Sequence, residues 1–148
     1  MNTVAISTEI QISCPIALVY EYAIDPDTVM EWHSNITSVN WETEKPLVIG
    51  SRIAFGMRLL RQQMIHSSEV IELVPQERMV MHVMDDHFEL STTYTWTSLS
   101  DDETKMTATC NGHLRGFSSV ISRLAILAMG IANKKSLRAI KSVLEVRY

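Results

Sequence analysis

The chain is poor in the residue patterns that mark chemistry. Its two cysteines, Cys14 and Cys110, lie far apart with no CxxC and no short Cys/His ligand spacing. Neither a zinc site nor a disulfide framework is indicated, and reduced structural thiols are expected. The five glycines, at 50, 56, 112, 116 and 130, are scattered, which excludes a phosphate-cradling loop or a dinucleotide fingerprint. No GxSxG occurs, and a serine hydroxyl needs a placed base before it reacts. No metal and no cofactor are expected.

Positive charge is also scarce. With 13 Lys and Arg against 17 Asp and Glu the net charge is -4, and nucleic acid, which is bound by neutralising phosphates, is not an expected partner. The most apolar run, FSSVISRLAILAMGIA at 117–132, is interrupted by Arg123 and is shorter than the roughly 18–20 apolar residues that span a bilayer, so no transmembrane segment is expected. The opening MNTVAISTEIQIS has no basic stretch followed by an apolar one, so a secretory signal is not expected and the cytoplasm is.

What is present is periodicity. A chain of 148 residues suits one domain, taken here as 1–148, with a core that needs no staple. Val4, Ile6, Ile10 and Ile12 alternate with polar residues, as in a half-buried strand. Pro15 then suits the start of a helix carrying Ile16, Val19, Tyr20 and Ala23, and Asp25 before Pro26 ends it and caps a second turn through Met30. Thr37, Val39 and Trp41 suggest a second strand, and Ile53, Phe55, Met57 and Leu59 one face of a third. Further strands are expected at about 63–74, 77–84, 88–98 and 104–114, joined by short polar turns; IHSSEVIEL within 63–74 permits either face inward, or a bulge. After Gly116 the period is helical to the end. Phe117, Val120, Ile121, Leu124, Leu127, Ala128 and Ile131 occupy more than one stripe, so the first half of this helix is expected to be the more completely buried, with Leu124 and Ile131 inside.

A long antiparallel sheet with one apolar face needs a cover, and the terminal helix alone is long enough to provide it. The expected fold is therefore α+β, a curved antiparallel sheet of about seven strands around a long C-terminal helix, with two short helices after the first strand. The chain resembles the helix-grip proteins of the START-like (SRPBCC), polyketide cyclase/dehydrase superfamily. The resemblance rests on CPIALVYEYAIDPDTVMEWHSNI after an opening strand, EVIELVPQERMVMHV, the hairpin TYTWTSLSDDETKMTATCNGHL and the terminal LRAIKSVLEV. It implies that the two short helices plug one end of the sheet and that Trp32 stands near the mouth of an apolar cavity.

The five histidines, His33, His66, His82, His87 and His113, form no recognisable catalytic pair in the sequence, and His87 in its Asp85–Asp86–His87 turn reads as solvated. The charged strand residues Arg52, Arg58, Glu69, Glu72, Arg78, Glu89 and Lys105 read as outward-facing, whereas cyclases of the superfamily use polar groups projecting inward. Nine methionines, six of them on expected strands, suit an apolar ligand of irregular shape. The leading expectation is a non-catalytic binding or transfer protein for a small hydrophobic molecule: a lipid, quinone, isoprenoid or polyketide-like compound. Its expected lining is Trp32, Phe55, Met57, Met81, Phe88, Tyr94, Phe117, Ile121, Leu124 and Ala128. The alternative is a cyclase or dehydratase with His66 or His82 as base and Tyr94 as partner. A third is a coenzyme Q-binding or toxin-like protein with a macromolecular partner, marked by an apolar patch around Trp32 and Ile36; a homodimer is compatible with each.

Overall fold

The computed structural model describes residues 2–148. The order is β1 (Asn2–Ile12), α1 (Ile16–Ile24), a 3-10 turn (Val29–Glu31), β2 (Ile36–Trp41), β3 (Arg52–Leu59), β4 (Gln62–Val74), β5 (Arg78–Met84), β6 (Phe88–Ser100), β7 (Glu103–Leu114) and α2 (Ser119–Arg147). The strands form one antiparallel sheet in the order β1-β7-β6-β5-β4-β3-β2, a meander from β2 to β7 with β1 returned to the edge of β7. Pro15 precedes the first residue of α1, and Asp25 leaves the helical region at its end. The Asp25 carboxylate then accepts the Asp27 N–H at 2.9 Å and so starts the turn that leads to Trp32.

Pairing settles which face of each strand is inner. Phe55 stands opposite His66 and Ile53 opposite Ser68, and directly opposed residues point to the same side, so His66, Ser68 and Val70 face inward. A bulge between Val70 and Glu72 then shifts the parity and turns Leu73 inward. The ambiguity of IHSSEVIEL thus resolves as inward parity followed by a bulge. Gly112 on β7 has a positive φ, and a Cβ there would lie 1.9 Å from the carbonyl oxygen of Glu89, so the strands approach more closely than any side chain allows.

The main core gathers Ile12, Val19, Ile53, Val70, Met79, Trp96 and Met106 under Leu137, Ile140 and Leu144 of α2. A smaller cluster of Val4, Phe88, Leu114 and Ala125 closes the other end. The burial expected along α2 is reversed. Leu124 is 51% and Ile131 61% exposed, while Leu137, Ile140 and Leu144 are fully buried. The reason is that the first half turns small residues, Ser122, Ala125 and Ala132, toward the sheet and its bulky residues away from it. Two apolar stripes on one helix cannot both face one sheet.

Truncation separates the two halves. Leu137→Ala should cost about 2–5 kcal/mol in urea unfolding, because it opens a cavity in a packed core, and Leu124→Ala should stay within about 0.5 kcal/mol.

Candidate functional site

The inner wall of the sheet is aromatic and sulfur-rich. Phe55 and Met57 come from β3, Met79 and Met81 from β5, and Tyr94 and Trp96 from β6. Trp32 leaves the 3-10 turn, is 3% exposed, and meets the Tyr94 ring edge-on at 6.1 Å. Tyr94 stacks on Trp96 at 6.3 Å, and Tyr20 of α1 meets Trp96 edge-on at 5.0 Å. Met106 and Met79 are buried and Met57, Met64 and Met81 partly so, but Met84 is exposed.

Polar atoms are set into this wall without partners. Trp32 Nε1, Trp96 Nε1, His33 Nδ1 and His66 Nε2 are buried and make no hydrogen bond within the protein. His33 Nδ1 has no contact with solvent although the residue as a whole is only half-buried, and desolvation lowers this imidazole to about 4. Burial pushes the Tyr94 hydroxyl well above its usual range, so it stays protonated.

His66 stands apart from the other candidates. Its Nδ1 lies 3.1 Å from Asp85 Oδ2, and its ring packs edge-on against Phe88 at 4.4 Å. Desolvation lowers its pKa despite the opposing pull of Asp85, so the ring is neutral at pH 7. A carboxylate accepts but does not donate, so the neutral ring gives its Nδ1–H to Asp85 and carries a lone pair on the buried Nε2. That is the posture of a general base held by a carboxylate. Asp85 is the partner that sequence reasoning missed. The register pairing Ser68 with Val83 carries His66 to the level of Asp85, a relation that no local motif shows.

The expected residues divide accordingly. Trp32, Phe55, Met57, Met81, Phe88 and Tyr94 share the inner face with His66. Phe117, Ile121 and Leu124 do not: Phe117, just before α2, is 40% exposed, Ile121 and Leu124 are 47% and 51% exposed on the outer side of the helix, and Ala128 sits on its half-buried shoulder. His82 is on the opposite face of the sheet, where Nδ1 meets Ser91 Oγ at 2.9 Å. Successive strand residues point to opposite sides, so His82 cannot serve the interior. Tyr94 lies six residues beyond Phe88, roughly 20 Å of strand, so it is no partner for His66 either. The charged strand residues point outward and several pair there, Glu72 with Arg78 and Glu89 with Arg115.

Two surface concavities stand out besides this interior. One, of about 240 Å³, runs between β1 and α2 past Glu9, Lys134 and Arg138. The other, of about 370 Å³, lies on the outer face of the sheet beside His82 and His113. Neither touches the aromatic wall. Among the described residues no three His, Cys, Asp or Glu side chains converge as metal ligands would, and no helix is long and apolar enough to cross a membrane.

A single sheet gripping a terminal helix, with an aromatic wall between them, defines a helix-grip protein. The family model described as polyketide cyclase / dehydrase and lipid transport matches residues 3–145, and the chain belongs to that family. Among solved structures it is similar to a START superfamily protein from Mycobacterium smegmatis, with TM-score 0.81 and 11% identity, over 98% of this chain and 99% of that one. It is similar also to the Zhui aromatase/cyclase from Streptomyces sp. R1128, with TM-score 0.83 and 13% identity, over 99% and 96%. The di-domain ARO/CYC StfQ of the steffimycin biosynthetic pathway matches with TM-score 0.77 and 11% identity, over 98% of this chain and 52% of that one. At these identities the likeness is one of fold. No curated protein sequence matches.

The buried histidines make stability depend on pH. Unfolded histidine binds a proton below about 6.5, whereas folded His33 does so only near 4, so the unfolded chain is favoured as pH falls between these values. His33 should account for up to about 3 kcal/mol lost across that window, with His66 acting in the same direction. Urea unfolding at a series of pH values should show this decline, and His33→Phe, neutral throughout, should flatten it.

Proposed function

We propose that the protein binds a small hydrophobic molecule between the sheet and α2, as a carrier or transfer protein. The observation that carries this reading is the set of buried, unpartnered polar atoms in the aromatic wall, above all the indole N–H groups of Trp32 and Trp96. Most buried polar atoms in a finished core are paired, and leaving one unpaired costs about 1–3 kcal/mol. An apolar molecule bearing an oxygen acceptor, such as a quinone, a polyketide-like compound or an oxygenated lipid or isoprenoid, would satisfy those N–H groups while its body contacts the methionines and aromatics. Family membership supports the same class of ligand.

A second reading has an observation of its own. The neutral His66 held by Asp85, with Nε2 directed into the protein, suits proton abstraction in a cyclase or dehydratase. The third expectation, an interaction surface around Trp32 and Ile36, lacks its mark, since Trp32 is buried and Ile36 partly so.

Ala108 lies on the inner face of β7 opposite Tyr94 and is 1% exposed, which makes it a better position than Ala128 for filling the interior. With ligand space there, Ala108→Phe should weaken binding of an apolar fluorescent probe severalfold and leave the melting temperature of the free protein nearly unchanged. In a filled core it would overpack, typically by 1–3 kcal/mol, with probe binding unaltered, and the carrier proposal would fall. Native mass spectrometry of protein purified without denaturation should identify a retained molecule.

His66→Gln separates carrier from enzyme. A carrier should keep its ligand affinity within about 1 kcal/mol, less than a tenfold change. Turnover of a polyketide-like substrate that this variant abolishes while still binding it would establish the enzyme instead.

A further inference from the structure

The exposed side of α2 carries a pattern that the interior does not use. Phe117, Val120, Leu124, Leu127 and Ile131 recur at alternating intervals of three and four residues, the spacing of one continuous stripe along a helix. All five are exposed, Val120 to 67% and Leu127 to 61%; Phe117 stands just before the helix, and the other four span roughly 17 Å of α2 at 1.5 Å per residue. At the same spacing the stripe continues as Lys134 and Arg138. One face of one helix is thus apolar for about three turns and then cationic.

Charge identifies what such a face would meet. From Phe117 to Leu144 there is no acidic residue, and the first turn of α2 carries none to offset the positive end of its dipole. Arg123, Lys134, Lys135 and Arg138 enter no ion pair among the described residues, whereas Lys141 pairs with Glu145 and Arg147 with Glu31. Glu9 shares the groove with Lys134 and Arg138 but lies 3.9 Å from Lys105. At the other end, the turn beside Phe117 holds Asp85, which is engaged by His66, and Asp86. The whole chain is acidic, yet this helix has six cations against one carboxylate.

A second copy of the chain fits this surface poorly. In a parallel pairing of two such helices Lys134 would face Lys134. In an antiparallel one Lys134 and Arg138 would approach the positive N-terminal end of the partner helix. The parallel arrangement sets full like charges together, and the antiparallel one sets the two cations against the partner's helix dipole with Asp86 beside it, Asp85 being engaged by His66. We propose that the stripe from Phe117 to Arg138 docks on an anionic lipid bilayer, its apolar residues entering the headgroup boundary and its cations meeting lipid phosphates. Helices with one apolar and one basic region lie in the membrane interface in this way, and no spanning segment is needed. The surface is distinct from the interior site, and its test needs no interior ligand.

The test is cosedimentation with vesicles of phosphatidylcholine mixed with phosphatidylglycerol, and with vesicles of phosphatidylcholine alone. The parent protein should bind the mixed vesicles more tightly, and less so as ionic strength rises. Leu124→Ser combined with Leu127→Ser should weaken binding on the order of tenfold or more, with an unchanged melting temperature because both side chains are exposed. Lys134→Gln combined with Arg138→Gln leaves the apolar stripe intact and should weaken binding by about fivefold per cation. Absence of the parent from the mixed-vesicle pellet would overturn the proposal, as would equal binding to both vesicle types. A concentration-dependent dimer in analytical ultracentrifugation, dissolved by the leucine double variant in a protein that ignores vesicles, would assign the stripe to a second copy instead.

Discussion

The packing of Leu137, Ile140 and Leu144 against the inner face of the sheet is the contact on which the other features of this protein depend. A seven-stranded antiparallel sheet with one apolar face needs a cover, and α2 is the one element long enough to supply it. Anchoring at the C-terminal half sets the rotation of the whole helix. Once those three residues point inward, the 3.6-residue period brings Ser122, Ala125 and Ala132 to the sheet in the first half and sends Leu124, Leu127 and Ile131 outward.

That rotation separates two surfaces of different chemistry. Inside, Trp32, Tyr94, Trp96 and the methionines of β3 and β5 pack with Leu137, Ile140 and Leu144, while the small Ala125 meets Phe88 and Leu114 at the other end. Outside, the bulky residues displaced by the rotation form an apolar stripe continuous with Lys134 and Arg138. The proposed carrier role rests on the first surface and the proposed bilayer docking on the second. Under the proposed function, the unpartnered N–H groups of the wall would favour a ligand that carries an oxygen.

His66 shows how far chemistry can follow from register. Its carboxylate partner lies nineteen residues away in sequence and is brought to it by the pairing of β4 with β5. Burial against Phe88 then opposes the charge that Asp85 would favour and keeps the ring neutral. His82, on the very next strand, has the opposite parity and meets Ser91 on the outer face. Two residues of identical type on adjacent strands therefore have unrelated environments.

The order of elements, the strand boundaries near Pro75 and Asp101, the start of α1 after Pro15 and the fold itself were legible in the sequence, because alternation, helical periodicity and turn residues are local signals. The inward placement of Phe55 and Met57 was legible for the same reason, since they repeat at every second position with Ile53 and Leu59. Residues 64–73 were not, because IHSSEVIEL carries apolar groups at both parities and a bulge at Val70/Glu72 exchanges them. Nor was the face of α2, where two apolar stripes of similar strength compete and local periodicity has no means of ranking them. The sequence by itself determined which segments become strands and helices and that one long helix must cover the sheet. The tertiary structure alone decided which stripe of that helix is buried and which histidine meets a carboxylate, because both depend on contacts between residues far apart in the chain.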